Sequence, residues 1–280
     1  MSDLDKIFKA YDIRGLYPED LDEDAAERIG RAFVRFAGSE AVVVGRDMRL
    51  SSPALAASFI RGATAAGAAV TDVGEVSTDA LYFASGQLDR PGAMFTASHN
   101  PGQYNGIKLC RAKAAPIGEE SGLLDIKQLA GKNEDLDAPS GTVDTTDVLS
   151  DYAKHCLSFV DPNHLRPLKV AIDAGNGMAG KTVPRVFDEL PFEVVPLFFE
   201  LDGNFPNHPA NPIEAANLVD LQRAVIENGC DLGIAFDGDA DRMFLVDETQ
   251  ALVSGSLTTA LVADRLLKKH PAEKGGARGH

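Results

Sequence analysis

Three aspartates fall within five residues in the segment FDGDADR, at Asp237, Asp239 and Asp241. The apolar run before them, DLGIAF (231–236), reads as a strand. In open parallel sheets, ligands bind in the loops beyond the carboxyl ends of strands. Like charges about 4 Å apart repel by ~1 kcal/mol in water and ~4 kcal/mol at an effective dielectric of 20. Arg242 alone does not neutralise three carboxylates. A hard divalent cation does, and Mg2+ prefers such oxygen ligands, filling its shell with water or phosphate. The competing reading is a solvated acidic turn. DGDADRMFLVDE also approaches a calcium-binding EF-hand loop, with Glu248 in the twelfth place. However, the sixth place needs Gly and holds Arg242, and a strand rather than a helix precedes it.

The second reactive stretch is TASHNPGQYNGIK (96–108), which contains Ser98, His99 and Lys108. Ser98 follows GAMFTA (92–97), another strand-like run. A serine hydroxyl is a poor nucleophile unless activated. His99 is its neighbour in the chain, which does not make the two side chains face each other, and no G-x-S-x-G elbow surrounds the serine. An acyl-transfer hydrolase therefore fits poorly. Beside a Mg2+ loop, Ser98 reads as a phosphate carrier, with Lys108 and Arg242 stabilising the phosphoryl charge. The alternative is a serine that caps a turn. GNGMAG (175–180) matches G-x-G-x-x-G between a strand and a helix, with Glu200 about 20 residues on. This lone match leaves an NAD-linked oxidoreductase open, but it accounts for neither the aspartates nor 96–108.

The elements that must position these residues alternate along 280 residues, enough for about two domains. VVVG (42–45), AVTDVG (69–74) and GAMFTA predict strands, separated by helices over 53–67 and 78–88 and preceded by one over 22–37. The β-α-β-α-β order predicts a mostly parallel sheet covered by helices. A polar stretch, 130–147, marks a boundary, and 146–160 a connecting helix. The alternation restarts with strands at 168–173, 192–199, 231–236 and 243–247 and helices over 179–190, 214–228 and 256–270. The tail PAEKGGARGH follows, so that a further α/β unit opens and stops.

Bulk properties narrow the partners. Net charge is −15, with a pI near 4.8 and no cluster of Lys and Arg, which argues against nucleic acid. Phosphate recognition must come from single basic side chains. Three widely spaced cysteines without CxxC predict no disulfide framework and fit a reducing cytoplasm. The amino terminus lacks the apolar core of a signal peptide, and the longest uncharged stretches (91–107 and 249–263) are rich in Gly, Pro, Ser and Thr, so no membrane span is expected.

TASHNPGQYNGIK together with FDGDADR resembles the α-D-phosphohexomutases, in the phosphomannomutase/phosphoglucomutase branch. KAYDIRG (9–15), VGRDMRLS (44–51), DAGNGMAG (173–180) and DGNFPNHPANP (202–212) extend the likeness from residue 6 to about 270. The resemblance implies consecutive α/β domains with mixed, mostly parallel sheets sandwiched by helices. These would be a phosphoserine-bearing domain over 1–140, a metal-loop domain over 141–250 and the start of a truncated third domain over 251–280. It implies that phosphorylated Ser98 passes its phosphoryl group to a mannose or glucose phosphate. A 1,6-bisphosphate, also the primer, then turns over and returns the other group, for net transfer between C1 and C6. Mg2+ would sit between the Ser98 phosphate and Asp237, Asp239 and Asp241. Tyr11, Arg14, His99, Asn100 and Lys108 would line the cleft, with Lys108 in proton transfer. Arg242 would contact the phosphoserine, with Arg46 and Arg49 as supports. GNGMAG would be a strand-to-helix turn. Members of the family usually have four domains, the last two supplying loops for sugar hydroxyls and for the non-reacting phosphate. Those loops would lie in a carboxyl-terminal half missing here, so the 280 residues alone are expected to show little turnover while still holding Mg2+ and phosphate.

Overall fold

The computed structural model describes residues 3–134 and 139–269. Part of the polar stretch, 135–138, and the tail from 270 lie outside the described residues. The first unit runs through α1 (Leu4–Ile7), β1 (Ile13–Leu16), α2 (Glu23–Ala37), β2 (Ala41–Arg46), α3 (Ser52–Ala65) and β3 (Ala69–Glu75). It continues with α4 (Thr78–Leu88), β4 (Gly92–Phe95), β5 (Tyr104–Arg111), β6 (Ala115–Pro116), α5 (Leu123–Lys132) and β7 (Val143–Thr145). After α6 (Leu149–Leu157) come β8 (Leu168–Asp173), α7 (Ala179–Phe187), β9 (Phe192–Leu197), α8 (Val219–Glu227), β10 (Leu232–Phe236), β11 (Met243–Asp247), β12 (Leu252–Val253) and α9 (Gly255–Lys269).

Two mixed sheets result. The first has the order β1-β5-β4-β2-β3-β7, with β6 beside β5; β2, β3, β4 and β7 are parallel, while β5 runs antiparallel to both of its neighbours β4 and β1. The second has the order β12-β11-β10-β8-β9, parallel at β8, β9 and β10 and antiparallel beyond. Helices cover both faces of each. On one side of the first sheet, Phe59 of α3 packs at a tilt on Phe33 of α2 and edge-to-face on Phe95 of β4, with ring centroids 5.8 and 5.5 Å apart, within a core shared with α5. On the other, α4 and α6 bury Leu81, Ala84 and Leu149 against Val43 and Met94. In the second unit α8 packs one face and α7 the other. The helix ends carry their signals: Asp22 caps α2 by accepting from Ala25 N at 2.8 Å, and Gly38 closes it in the left-handed region at φ 58°.

The structure departs from the sequence reading in several places. The second half of TASHNPGQYNGIK belongs to strand β5, a strand absent from the sequence reading. Ile107 and Leu109 enter the core and leave Lys108 on the opposite face, as a two-residue period requires. The first sheet extends past the expected boundary at 140, because Val143 pairs with Val70 of β3. The second extends past 250, because Leu252 pairs with Val246. The helix expected over 214–228 begins as a 3-10 turn, Ala215–Leu218. Among the described residues no helix is long and apolar enough to cross a membrane.

Candidate active site and metal centre

Ser98 lies just beyond the carboxyl end of β4, and the aspartate loop just beyond that of β10, so the two sheets present their strand ends to one another. Ser98 is buried and holds φ at 55°, a left-handed conformation uncommon outside glycine. Its N–H donates to Thr96 Oγ1 at 2.8 Å. Its Oγ donates to Asp237 Oδ2 at 2.7 Å, across 139 positions of sequence. Arg242 closes the group. Its Nη2 donates to Ser98 Oγ, to Asp237 Oδ2 at 2.6 Å and to His99 Nδ1 at 2.7 Å, while its Nε donates to Asp237 Oδ2 at 3.0 Å.

His99 Nδ1 accepts from that guanidinium, so the ring is neutral in this arrangement. Burial, followed by the charges of Arg242 and Arg14, holds its pKa below the ordinary value. Lys108 Nζ donates at 2.6 Å to both Asp239 Oδ2 and Asp241 Oδ2. Burial opposes its charge, but the two carboxylates outweigh burial and raise its pKa, so it stays an ammonium. The acids split in the opposite sense. Burial raises Asp237, helped by Asp239 and Asp241. Burial also works to raise Asp239, yet Lys108 and the hydroxyl of Thr78 bring it below the ordinary range.

One carboxylate oxygen from each of Asp237, Asp239 and Asp241 lies within 4.8 Å of the others. Asp239 Oδ1 and Asp241 Oδ1 are buried and have no hydrogen-bond partner. Asp241 Oδ1 has only the Arg242 guanidinium 3.5 Å away, and a buried acceptor without a hydrogen bond costs roughly 1–3 kcal/mol. All the donors are hard oxygens, so a divalent cation of the Mg2+ type fits the set.

Two further residues shape the loops. Arg49 is fully buried and uses all five of its N–H groups: Nε on Asp47, Nη1 on Pro101 O and Tyr104 O, and Nη2 on Ser98 O and Asn100 O, at 2.7–3.1 Å. Thr78, at the start of α4, donates through its backbone N–H to Asp239 O at 3.1 Å and through Oγ1 to Asp239 Oδ2 at 2.6 Å. Glycines allow the close approach of the two units. A Cβ on Gly238 would fall 2.4 Å from Ser98 O, and one on Gly203 2.7 Å from Arg49 Cα.

Ser98, His99, Lys108, Arg242 and the three aspartates thus form one contiguous cluster. Arg14 joins at its edge, Nη1 donating to Asn100 Oδ1 at 2.7 Å and Nη2 to Asp12. Tyr11, 87% exposed, stands outside the hydrogen-bonded cluster. Arg46 turns away to Asp72, 3.2 Å distant. Thr78 was not singled out by sequence. A helix start at S-T-D is legible there, but not the acid that it meets. The glycines of GNGMAG are packed against protein: Cβ atoms on Gly177 and Gly180 would lie 2.6 Å from Gly238 O and 2.0 Å from Phe199 O. The N–H groups of that turn are also taken, Gly175 N by Asp173 Oδ1, Asn176 N by Phe198 O, Gly177 N by Ala174 O and Met178 N by Gly238 O, so they do not cradle a pyrophosphate.

Comparison with known proteins agrees with this geometry. Family models of phosphoglucomutase/phosphomannomutase α/β/α domains I and II match residues 5–136 and 150–250. The chain is 43% identical over 269 residues to phosphohexose mutases of Xanthomonas campestris, covering 95% of this chain and 60% of the relative. It is 42% identical to a phosphomannomutase of Escherichia coli, covering 95% and 61%. A crystal structure of a phosphoglucomutase/phosphomannomutase family protein from Burkholderia thailandensis superposes with a TM-score of 0.88 at 37% identity, over 96% of this chain and 60% of that one. The chain spans about 60% of the length of these relatives. It belongs to the phosphoglucomutase/phosphomannomutase family.

Proposed function

We propose that this chain carries the phosphoryl-transfer half of a phosphohexomutase site, with Ser98 as the carrier. The observation that supports this most is the 2.7 Å hydrogen bond from Ser98 Oγ to Asp237 Oδ2, which joins the serine to the metal-type cluster. Asp237, Asp239 and Asp241 would hold Mg2+, which when bound offsets the charge of the phosphoryl group and of the acids. Charge supports the assignment. Three carboxylates face two side-chain cations, Lys108 and Arg242, so a dianionic phosphate on Ser98 would be repelled without a further dication.

The chain's own residues orient the transfer. Arg242 grips the serine oxygen, which limits the phosphoryl group to a narrow range of directions. Arg14 Nε is buried without a partner at the cleft edge, a donor suited to an anionic sugar phosphate. In the transfer, the bond from phosphorus to Ser98 Oγ breaks and one from phosphorus to a sugar hydroxyl oxygen forms, while the proton lost by that hydroxyl is matched by the one the leaving Oγ takes up. Lys108, held as an ammonium by Asp239 and Asp241, serves as a cation in this state. The acceptor is a mannose or glucose monophosphate, and the product a 1,6-bisphosphate that also primes Ser98. A second reading, favoured by the 60% span, keeps phosphate and Mg2+ on the chain without mutase turnover.

Incubating the protein with glucose 1,6-bisphosphate and Mg2+, followed by intact mass measurement, separates these readings when paired with a mannose 1-phosphate turnover assay. Wild type gains one phosphoryl group and Ser98→Ala gains none. Turnover alongside phosphorylation supports the full mutase, and phosphorylation alone supports the second reading. Equal labelling of Ser98→Ala removes both.

A further inference from the structure

Thr78 belongs to the first unit, yet it is hydrogen-bonded to the acidic loop of the second. Its side chain and that of Asp239 are both inaccessible to solvent. Its hydroxyl and the Lys108 ammonium converge on the same oxygen, Asp239 Oδ2, each at 2.6 Å. The other oxygen, Oδ1, is buried and unpartnered. The Thr78 N–H also holds the backbone of Asp239 at 3.1 Å, so side chain and main chain are fixed from one residue. A carboxylate held by two donors on one oxygen does not rotate freely. It presents the remaining oxygen in a set direction.

We infer that Thr78 is a positioning residue for the cation: it locks the Asp239 carboxylate so that Oδ1 alone faces the ion. This rests on the cation reading of the site given above. One-oxygen ligation carries a selectivity. Mg2+ and Mn2+ accept six well-placed single oxygens, whereas the larger Ca2+ accepts carboxylates through both oxygens in looser shells. Without the Thr78 hydroxyl only Lys108 holds Oδ2, the Asp239 carboxylate is less tightly fixed, and the preference for small cations falls. The inference also gives the first unit control over the second. The strand end that carries Ser98 and the helix that carries Thr78 pack together in the first unit, so the phosphate carrier and the ligand orientation are set together.

The test measures binding of Mn2+ to the purified 280-residue protein by electron paramagnetic resonance, with Ca2+ as competitor, in wild type, Thr78→Ser, Thr78→Val and Thr78→Ala. Removing a group that orients a metal ligand typically costs about 10–100-fold in affinity. A hydroxyl role predicts that Thr78→Ser stays close to wild type. Thr78→Val and Thr78→Ala bind Mn2+ about tenfold or more weakly and shift their preference toward Ca2+. A role limited to packing of the methyl group predicts the other pairing, with Thr78→Val like wild type and Thr78→Ser like Thr78→Ala, and that result overturns the inference. Equal affinities in all four overturn it as well. If one of the Val and Ala variants does not fold, the other carries the comparison with Ser. Absence of Mn2+ binding in wild type is a separate outcome, which overturns the cation reading itself before any variant is considered.

Discussion

Two arginines three residues apart, Arg46 and Arg49, show what a single side chain decides here. Arg49 ties four carbonyls of the Ser98 loop to Asp47, and Phe205 of the second unit lies 5.2 Å over its guanidinium. Arg46 makes one partly exposed pair with Asp72. Removing one partner of a buried ion pair costs about 3–5 kcal/mol, whereas an exposed pair contributes about 0–1 kcal/mol. Urea unfolding of Arg49→Met should therefore show a loss of several kcal/mol, and Arg46→Met a loss of about 1 kcal/mol or less. The GRDMRLS segment shows both arginines at a loop, but not which is enclosed. Enclosure depends on carbonyls about 50 residues away in the chain, at Ser98, Asn100, Pro101 and Tyr104. The aspartate triplet and Ser98 were legible because their chemistry is local: charge density in one case, position after a strand in the other.

At the scale of elements, the strands came through best where β-branched runs were continuous, as in VVVG and LKVAID, and worst where polar residues interrupt the run. β5 was missed because Asn105, Gly106 and Lys108 break its apolar pattern; Asn105 is tied to Ser51 and Ser52, and Lys108 reaches the acidic loop. The loop 202–212 is tied to the end of β8 through His208, whose Nε2 lies 2.9 Å from Asp173 Oδ2 and whose Nδ1 lies 2.9 Å from Pro209 O. Burial alone would lower the pKa of His208. The hydrogen bond and charge of Asp173 outweigh burial and raise it above 6.5. A group with a raised folded pKa adds stability that is fully present below its unfolded value and is lost as pH rises through the folded value. The stability difference between wild type and His208→Gln should thus be largest below about pH 6.5 and shrink at higher pH. Thermal melts of both proteins across pH check this. A difference that grows with pH would mean that the histidine is bound neutral.

The whole molecule is organised around a seam where backbone meets backbone. Gly238 against Ser98 and Gly203 against Arg49 leave no space for a side chain. Gly238→Ala should separate the acidic loop from the serine and weaken Mn2+ binding about tenfold or more, a loss that titration of the folded variant would show. Helix α9, by contrast, has no buried residue, and Leu257, Leu261 and Leu266 stand exposed. Leu261→Ala should change the unfolding free energy by no more than about 0.5 kcal/mol, because it removes no buried contact. The two-unit organisation was legible from the repeated β-α-β order. The glycine seam was not, since a glycine in sequence does not say what it lies against.

Convergence of Ser98 and the three aspartates on one cation is the claim from which the rest follows. Phosphorus NMR of the protein phosphorylated at Ser98, titrated with paramagnetic Mn2+, tests it directly. The account predicts severe broadening of the phosphoserine line by the first equivalent of Mn2+, and loss of that effect in Asp239→Asn. A phosphoserine line that stays sharp while Mn2+ is bound to the protein would contradict it.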